Sequence, residues 1–298
     1  LSGTLEARLR RHVATLAGEI GERHVRRPKA LAAAEAYIAG ELADIGHTVR
    51  RQTYDAEGVA SSNLEIEIPG STAASEIVLA GAHYDTVPGS PGADDNGSGV
   101  AGVIEIARRL AGARPQRTIR LVAFVNEEPP FFYFGEMGSK VYAREARRRG
   151  DDIRMMLSLE MLGCYSARRG SQQYPPLLAR FYPDRGDFIG FVSNLRSRGA
   201  LGELCRAFRE ASDFPMARLA APALVPGVGL SDQISFWKQG YRAVMVTDTA
   251  FYRYRHYHQS TDTPERLDYA RMAEVVSGLA GAIARLGGIQ TKLGEGDG

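Results

Sequence analysis

Apolar residues recur at three- and four-residue spacing twice near the start of the chain: Leu5, Leu9, Val13 and Leu16, then Leu31, Ala34, Ile38 and Leu42. That spacing predicts two amphipathic helices. Past Gly46 the period shortens to two, at Thr48–Thr53 and in the run Leu64–Ile68, which predicts strands. Ile77–Ala82 and Ile119–Val125 are nearly continuous apolar runs, as expected of strands buried on both faces. Between them, Gly99–Ala111 places Val103, Ile106 and Leu110 on one helical face. Met155–Met161, Phe188–Val192 and Ala243–Thr247 read as further strands, and Asn194–Ala211 and Tyr269–Leu286 as helices. Strands alternating with helices predict an α/β protein, a three-layer α/β/α sandwich around a central mixed, largely parallel sheet. Such sheets collect their chemistry at the carboxyl ends of the strands. No linker divides the chain, so a single domain over residues 1–298 is expected, ending in a flexible Gly-rich tail, Leu293–Gly298.

Composition narrows the class without choosing a function. The 298 residues, 44% hydrophobic and 24% charged, suit a globular chain long enough to bury a core without staples. Lys+Arg 37 against Asp+Glu 35 gives a net charge of +2, which argues against a dedicated nucleic-acid binder. No run of about 18 apolar residues exists, so no membrane span is expected. Leu1–Arg11 mixes charged and polar residues, unlike a signal peptide. That points to the cytoplasm, or to secretion or the periplasm if a leader has been removed. Cys164 and Cys205 rule out a disulfide scaffold and a Cys-only zinc site. Nothing in the sequence sets the oligomeric state.

The polar residues that close the apolar runs change the picture. The first run ends in His83-Tyr84-Asp85, and the segment Gly92–Gly99 (GADDNGSG) leads into the next helix. The second ends in Asn126-Glu127-Glu128, the third contains Glu160, and Tyr257-His258 stands near the C-terminus. Singly, each has an ordinary explanation: a hydrogen-bonded His, a helix-capping turn, a solvated Glu pair. Together they do not, because Glu127, Glu128 and Glu160 abut apolar strands, where carboxylates must be paired or metal-bound. Zinc accepts a mixed His/Asp/Glu shell, whereas magnesium or calcium takes mainly oxygen. Alternation along a strand puts His83 and Asp85 on one side, with Asp85 in a supporting role. Pro129-Pro130 ends the second strand and lets both Glu127 and Glu128 turn into one cavity.

These residues resemble peptidase family M28, the co-catalytic di-zinc aminopeptidases. The resemblance runs from roughly Leu31 to Val276 through the motifs HYD, GADDNGSG, NEE, Gly138-Ser139, SLEM, SDQISFW and YHQSTDT. It implies a zinc-exopeptidase fold and two Zn²⁺ per chain. His83 and Glu160 would hold one, Glu128 and His258 the other, and Asp95, not Asp94, would bridge them. Three such carboxylates carry −3 against +4, a net positive charge that stabilises a bridging hydroxide. Glu127 would be the general base that activates it, and Tyr257 a donor to the oxyanion. The implied activity is removal of N-terminal residues from a peptide or aminoacyl substrate.

The chain also departs from the family pattern. Glu160 stands where Asp is commoner, Gln233 replaces a usual His and Gln259 a frequent Thr. A longer loop after Glu128 carries Phe131, Phe132, Tyr133 and Phe134, read equally as a satellite core or as an apolar lip that favours hydrophobic N-terminal residues. Cys164–Arg185 is expected to form loops over the active face. Competing readings are a glutaminyl cyclase, an acyltransferase of the same fold with one zinc, and an inactive binding module. The M20 deacylases share His83-Tyr84-Asp85-Thr86-Val87-Pro88 but usually carry an inserted domain for which this chain has no room.

Overall fold

Alternation inside each apolar run sorts the two faces of the sheet. In the strand Ala73–His83 (β3), Val78, Ala80 and Ala82 join one core, while Ile77 and Leu79 join another on the opposite face. Arg117–Phe124 (β4) divides likewise: Ile119, Leu121 and Ala123 on one side, Val122 and Phe124 on the other. The computed structural model describes residues 3–175 and 178–289. The tail Leu293–Gly298 lies outside the described residues.

Eight strands form one sheet in the order β1-β2-β4-β3-β5-β8-β6-β7. Here β1 is Arg50–Ala56, β2 Val59–Ile68, β5 Asp152–Glu160, β6 Ile189–Ser193, β7 Met216–Ala220 and β8 Ala243–Thr247. The central four, β4-β3-β5-β8, run parallel. Antiparallel pairing joins β2 to β4, β1 to β2 and β6 to β8. The sheet is therefore mixed, with its parallel block in the middle, as the sequence predicts. The larger core packs helices α1 (Leu5–Val13), α2 (Pro28–Asp44), α3 (Gly99–Arg109), α6 (Arg198–Ala211) and α8 (Tyr269–Leu286) against one face. The other face is covered by α5 (Gly138–Arg149) and α7 (Gln233–Lys238), where Phe124, Tyr142 and Phe236 form a ring cluster. A short helix, α4, spans Phe131–Phe134.

Several boundaries differ from the sequence expectation. The first helix stops at Val13 and continues as a wider π-type turn, Ala14–Ile20. Strands β1 and β2 meet across Glu57-Gly58, both at positive φ, the two-residue turn that matches strand twist, so β2 begins five residues before Leu64. Strand β4 ends at Phe124, because Asn126 is already left-handed at φ 57°. Helix α5 escapes the pattern because its sequence is largely basic, with only Tyr142, Ala143 and Ala146 as its buried apolar stripe.

A buried ionic group ties three helices together. His12, fully buried, stands 3.0 Å from Glu105 and 2.7 Å from the Tyr37 hydroxyl, and Arg8 donates to Glu105 at 2.7 Å. Burial would raise the Glu105 carboxyl, but His12 and Arg8 outweigh it and hold it at about 2. A carboxylate depressed in the folded state contributes stability that is full above its unfolded pKa and lost as pH falls through the folded one. Urea unfolding of the wild type should therefore lose about 3 kcal/mol from this group between pH 5 and pH 2. Glu105→Gln should be less stable at pH 7 and show a shallower acid limb; parallel limbs would refute the assignment.

Candidate metal centre

Three of the four central parallel strands deliver a polar group to the site at the carboxyl end. His83 closes β3, Glu160 closes β5, and Glu127 and Glu128 follow β4. Three non-glycine residues beside or within this set are left-handed: Asn126 (φ 57°), Met161 (φ 56°) and His258 (φ 59°). That conformation costs an L-residue about 1–2 kcal/mol and turns the chain sharply at each end. Local hydrogen bonds hold two of these turns. Met161 donates its amide to Asn96 Oδ1 at 3.1 Å, and Asn126 Nδ2 donates to the Tyr54 hydroxyl at 3.2 Å.

Five side chains converge as two sets. His83 Nε2 lies 3.4 Å from Asp95 Oδ1 and 3.4 Å from Glu160 Oε2. His258 Nε2 lies 3.1 Å from Asp95 Oδ2 and 3.4 Å from Glu128 Oε2. Asp95 thus turns one oxygen toward each set. Two ligands of a tetrahedral zinc, at bonds of ~2.1 Å, stand ~3.4 Å apart, so both spacings suit one ion per set. Glu127 Oε2 is farther, 3.9 Å from His83 Nε2, although His83, Glu127 and Glu128 also come close enough to share an ion. Glu128 Oε1 is buried without a hydrogen-bond partner, a loss that a bound cation removes. The donor set present, imidazole and carboxylate, fits zinc.

Protonation tells the same story. Burial, then the neighbouring Asp95, pushes Glu128 up to about 8, and burial drives Glu127 well above the carboxylate range. Burial would lower His258, but Asp95 and Glu128 raise it to about 10. Without metal, protons must supply the positive charge that this acidic pocket lacks.

Two further carboxylates hold the turns that carry these side chains. Asp85 accepts from the amides of Glu127 (3.0 Å) and Glu128 (3.1 Å), while its oxygen stands 3.6 Å from His83 Nδ1. Its support therefore goes first to the Glu127–Glu128 turn. Asp262 does the same for the other turn, accepting from the amides of Asp94 (2.9 Å) and Asp95 (3.1 Å). Asp94 itself points away and accepts from the Gly163 amide. Ser231 donates to Glu160 Oε2 at 2.6 Å, which fixes the longer side chain. The roles of Asp262 and Ser231 escape sequence reasoning, although both lie inside recognised motifs. Gln233 lies outside both sets. Its amide donates to the Val228 carbonyl at 3.0 Å and supports the wall of the neighbouring cavity.

That cavity shares Glu160, Leu230 and Tyr257 with the metal cleft. Phe188, Phe191, Val192, Val228, Met245 and Phe251 make it apolar. Tyr257 stacks on His258 with ring centroids 3.8 Å apart, and burial keeps its phenol protonated far beyond the usual range. Loop 164–185 contributes Gln172, Tyr174 and Tyr182 to the cavity. The aromatic run divides: Phe131 is buried in the main core, Phe132 lines the metal cleft, Phe134 is exposed, and the Tyr133 side chain lies outside the described set.

Residues 63–283 match the sequence profile of peptidase family M28. The chain belongs to peptidase family M28. Among M28-like relatives, the uncharacterized protein YfbL of Escherichia coli (strain K12) is 42% identical over 212 residues, covering 68% of this chain and 65% of that one. The probable lipoprotein aminopeptidase LpqL of Mycobacterium tuberculosis is 29% identical over 250 residues, covering 80% and 48%. The chain thus spans about half to two thirds of the length of these relatives. The fold is shared with BSAP, a zinc aminopeptidase from Bacillus subtilis, at a TM-score of 0.74 and 15% identity, covering 94% of this chain and 95% of that one. A glutaminyl cyclase from Fimbriiglobus ruber shares it too, at 0.69 and 21%, covering 94% of each chain. Within this M28 chain, no helix among the described residues is long and apolar enough to cross a membrane.

Proposed function

We propose that this M28 chain is a zinc-dependent aminopeptidase that works with two metal ions and removes hydrophobic N-terminal residues. The observation that carries the reading is Asp95, whose two oxygens face two separate His/Glu sets. His83 and Glu160 would hold one ion, Glu128 and His258 the other, and Asp95 both. When bound, the ions supply Lewis acidity toward water and the scissile carbonyl. Glu127 takes the proton from the attacking water and returns it to the leaving amine. Tyr257, held as a neutral phenol, donates toward the developing oxyanion. Asp85 holds the Glu127–Glu128 turn in register. The apolar cavity takes the side chain of the residue being removed.

The glutaminyl cyclases share the fold, but two complete ligand sets favour hydrolysis here. Zinc-loaded protein should contain two ions per chain and cleave leucyl and phenylalanyl p-nitroanilides faster than lysyl or glutamyl ones. N-acetylated substrates should be inert. One ion per chain with pyroglutamate formation from glutaminyl peptides would overturn the reading. Fully burying an apolar side chain is worth about 1.5–3 kcal/mol, roughly 10–100-fold in rate. Val192→Arg, which places a charge in the cavity wall, should lower kcat/KM for the leucyl substrate by about that factor with metal content unchanged. An unaltered substrate ranking would place side-chain recognition elsewhere.

A further inference from the structure

We propose that Arg23, supplied from outside the family-matched region, is a positioning residue that sets the spacing between His83 and Asp95. The proposal rests on the metal-centre reading above and extends it to the N-terminal segment. Arg23 is fully buried, yet among the described residues no carboxylate lies within ion-pairing distance of it. Its guanidinium is used entirely on main-chain carbonyls. Nε donates to Tyr84 O at 2.6 Å, and one terminal nitrogen to Pro91 O at 2.7 Å, Gly21 O at 3.0 Å and Leu16 O at 3.1 Å. The other donates to Gly92 O at 2.9 Å. The Arg23 main chain adds a reciprocal pair with Thr86: its amide donates to Thr86 Oγ1 at 3.1 Å, and its carbonyl accepts from the Thr86 amide at 2.9 Å.

The positions of these acceptors carry the argument. Tyr84 lies between His83 and Asp85. Pro91 and Gly92 open the turn that bears Asp94 and Asp95. One planar fork therefore bridges two ligand-bearing turns that pair with no common strand, with a rigidity a lysine cannot match. The turn is shaped to accept it. A Cβ on Gly92 would fall 2.4 Å from Thr86 Cγ2, 2.5 Å from Asp95 O and 3.3 Å from the guanidinium. A Cβ on Gly97 would fall 2.8 Å from Gly92 O and 3.6 Å from the same group. A buried cation merely filling space would be replaceable by an apolar residue. This one stands within electrostatic reach of Asp85, Asp262, Asp95 and Glu128, and so offsets part of the charge of the centre as well as bracing it.

Arg23→Lys keeps the charge and loses the fork; Arg23→Gln loses both. Each variant is compared with the wild type by circular dichroism, Zn²⁺ competition titration, the visible spectrum of the Co²⁺-substituted protein, and kcat and KM on leucyl p-nitroanilide. Both variants should fold. Removing a group that supports metal ligands typically weakens metal binding 10–100-fold, and the Lys variant should fall in that range with a shifted Co²⁺ spectrum. Its kcat should fall while KM stays within about twofold, and the Gln variant should lose a further tenfold in metal affinity. Folded variants with wild-type affinity and spectrum would overturn the proposal. So would failure of both to fold, which would assign Arg23 to stability alone. A wild type that takes up no metal would refute the metal-centre reading instead.

Discussion

Glu127→Gln should lower kcat by 10³-fold or more while the protein keeps its full complement of zinc. The substitution preserves shape and removes the negative charge, and with it the ability to take a proton. Positioned general bases contribute about 10²–10⁴-fold, and under the proposed mechanism one residue would serve both proton transfers. The structure leaves a rival role to be separated, because His83, Glu127 and Glu128 also come close enough to share an ion. Distance favours the base. Glu127 Oε2 lies 3.9 Å from His83 Nε2, against 3.4 Å for Glu160 and 3.4 Å for Asp95. The two roles give opposite results in one pair of measurements. A base-deficient enzyme retains two zinc ions, binds substrate with nearly unchanged KM and turns over slowly. A ligand-deficient one loses an ion, and added zinc restores part of its activity. Full activity in the Gln variant would remove Glu127 from the mechanism altogether.

The strand-end positions of His83, Glu127, Glu128 and Glu160 were legible because polar residues closing apolar runs break a local pattern. The parallel core was legible for the same reason: Ile77–Ala82 and Ile119–Val125 are too apolar for any half-exposed strand. What stayed hidden is held by contacts between distant segments. Asp85 clamps amides 42 and 43 residues away, and Asp262 clamps amides 167 and 168 residues away. No periodicity records such pairings, since the acceptor is a side chain and the donors are anonymous main-chain groups. Arg23 was invisible on both counts, a charged residue in an ordinary polar stretch whose partners are all carbonyls. The edge strand Met216–Ala220 and the helix Gln233–Lys238 were missed for want of length. Five or six residues, half-exposed in the strand's case, carry too few periods to distinguish them from loop.

Stripping both metal ions with a chelator should abolish activity and lower the thermal midpoint by roughly 20 °C, and zinc should restore both. At a free metal concentration about a thousandfold above Kd, binding stabilises the folded state by about 4 kcal/mol per ion. For a chain of this size each kcal/mol moves the midpoint by about 2–4 °C. The effect should also depend on pH in a defined direction. In the metal-free fold, Glu128 is raised to about 8 and His258 to about 10, so the folded state holds more protons than the unfolded one between about pH 5 and pH 10. Metal-free stability must then fall as pH rises through that window. Zinc takes the place of those protons, so the bound form loses this slope, and binding itself strengthens as the competing protons leave. The gap between zinc-loaded and stripped midpoints should accordingly widen from pH 6 to pH 8. Asp95→Asn, which weakens the one carboxylate facing both sets, should bring the loaded protein close to the stripped curve at every pH. A gap independent of pH would mean that the buried carboxylates and imidazoles of the centre do not exchange protons for metal. In that case the charge argument for two ions fails, whatever the enzyme's activity.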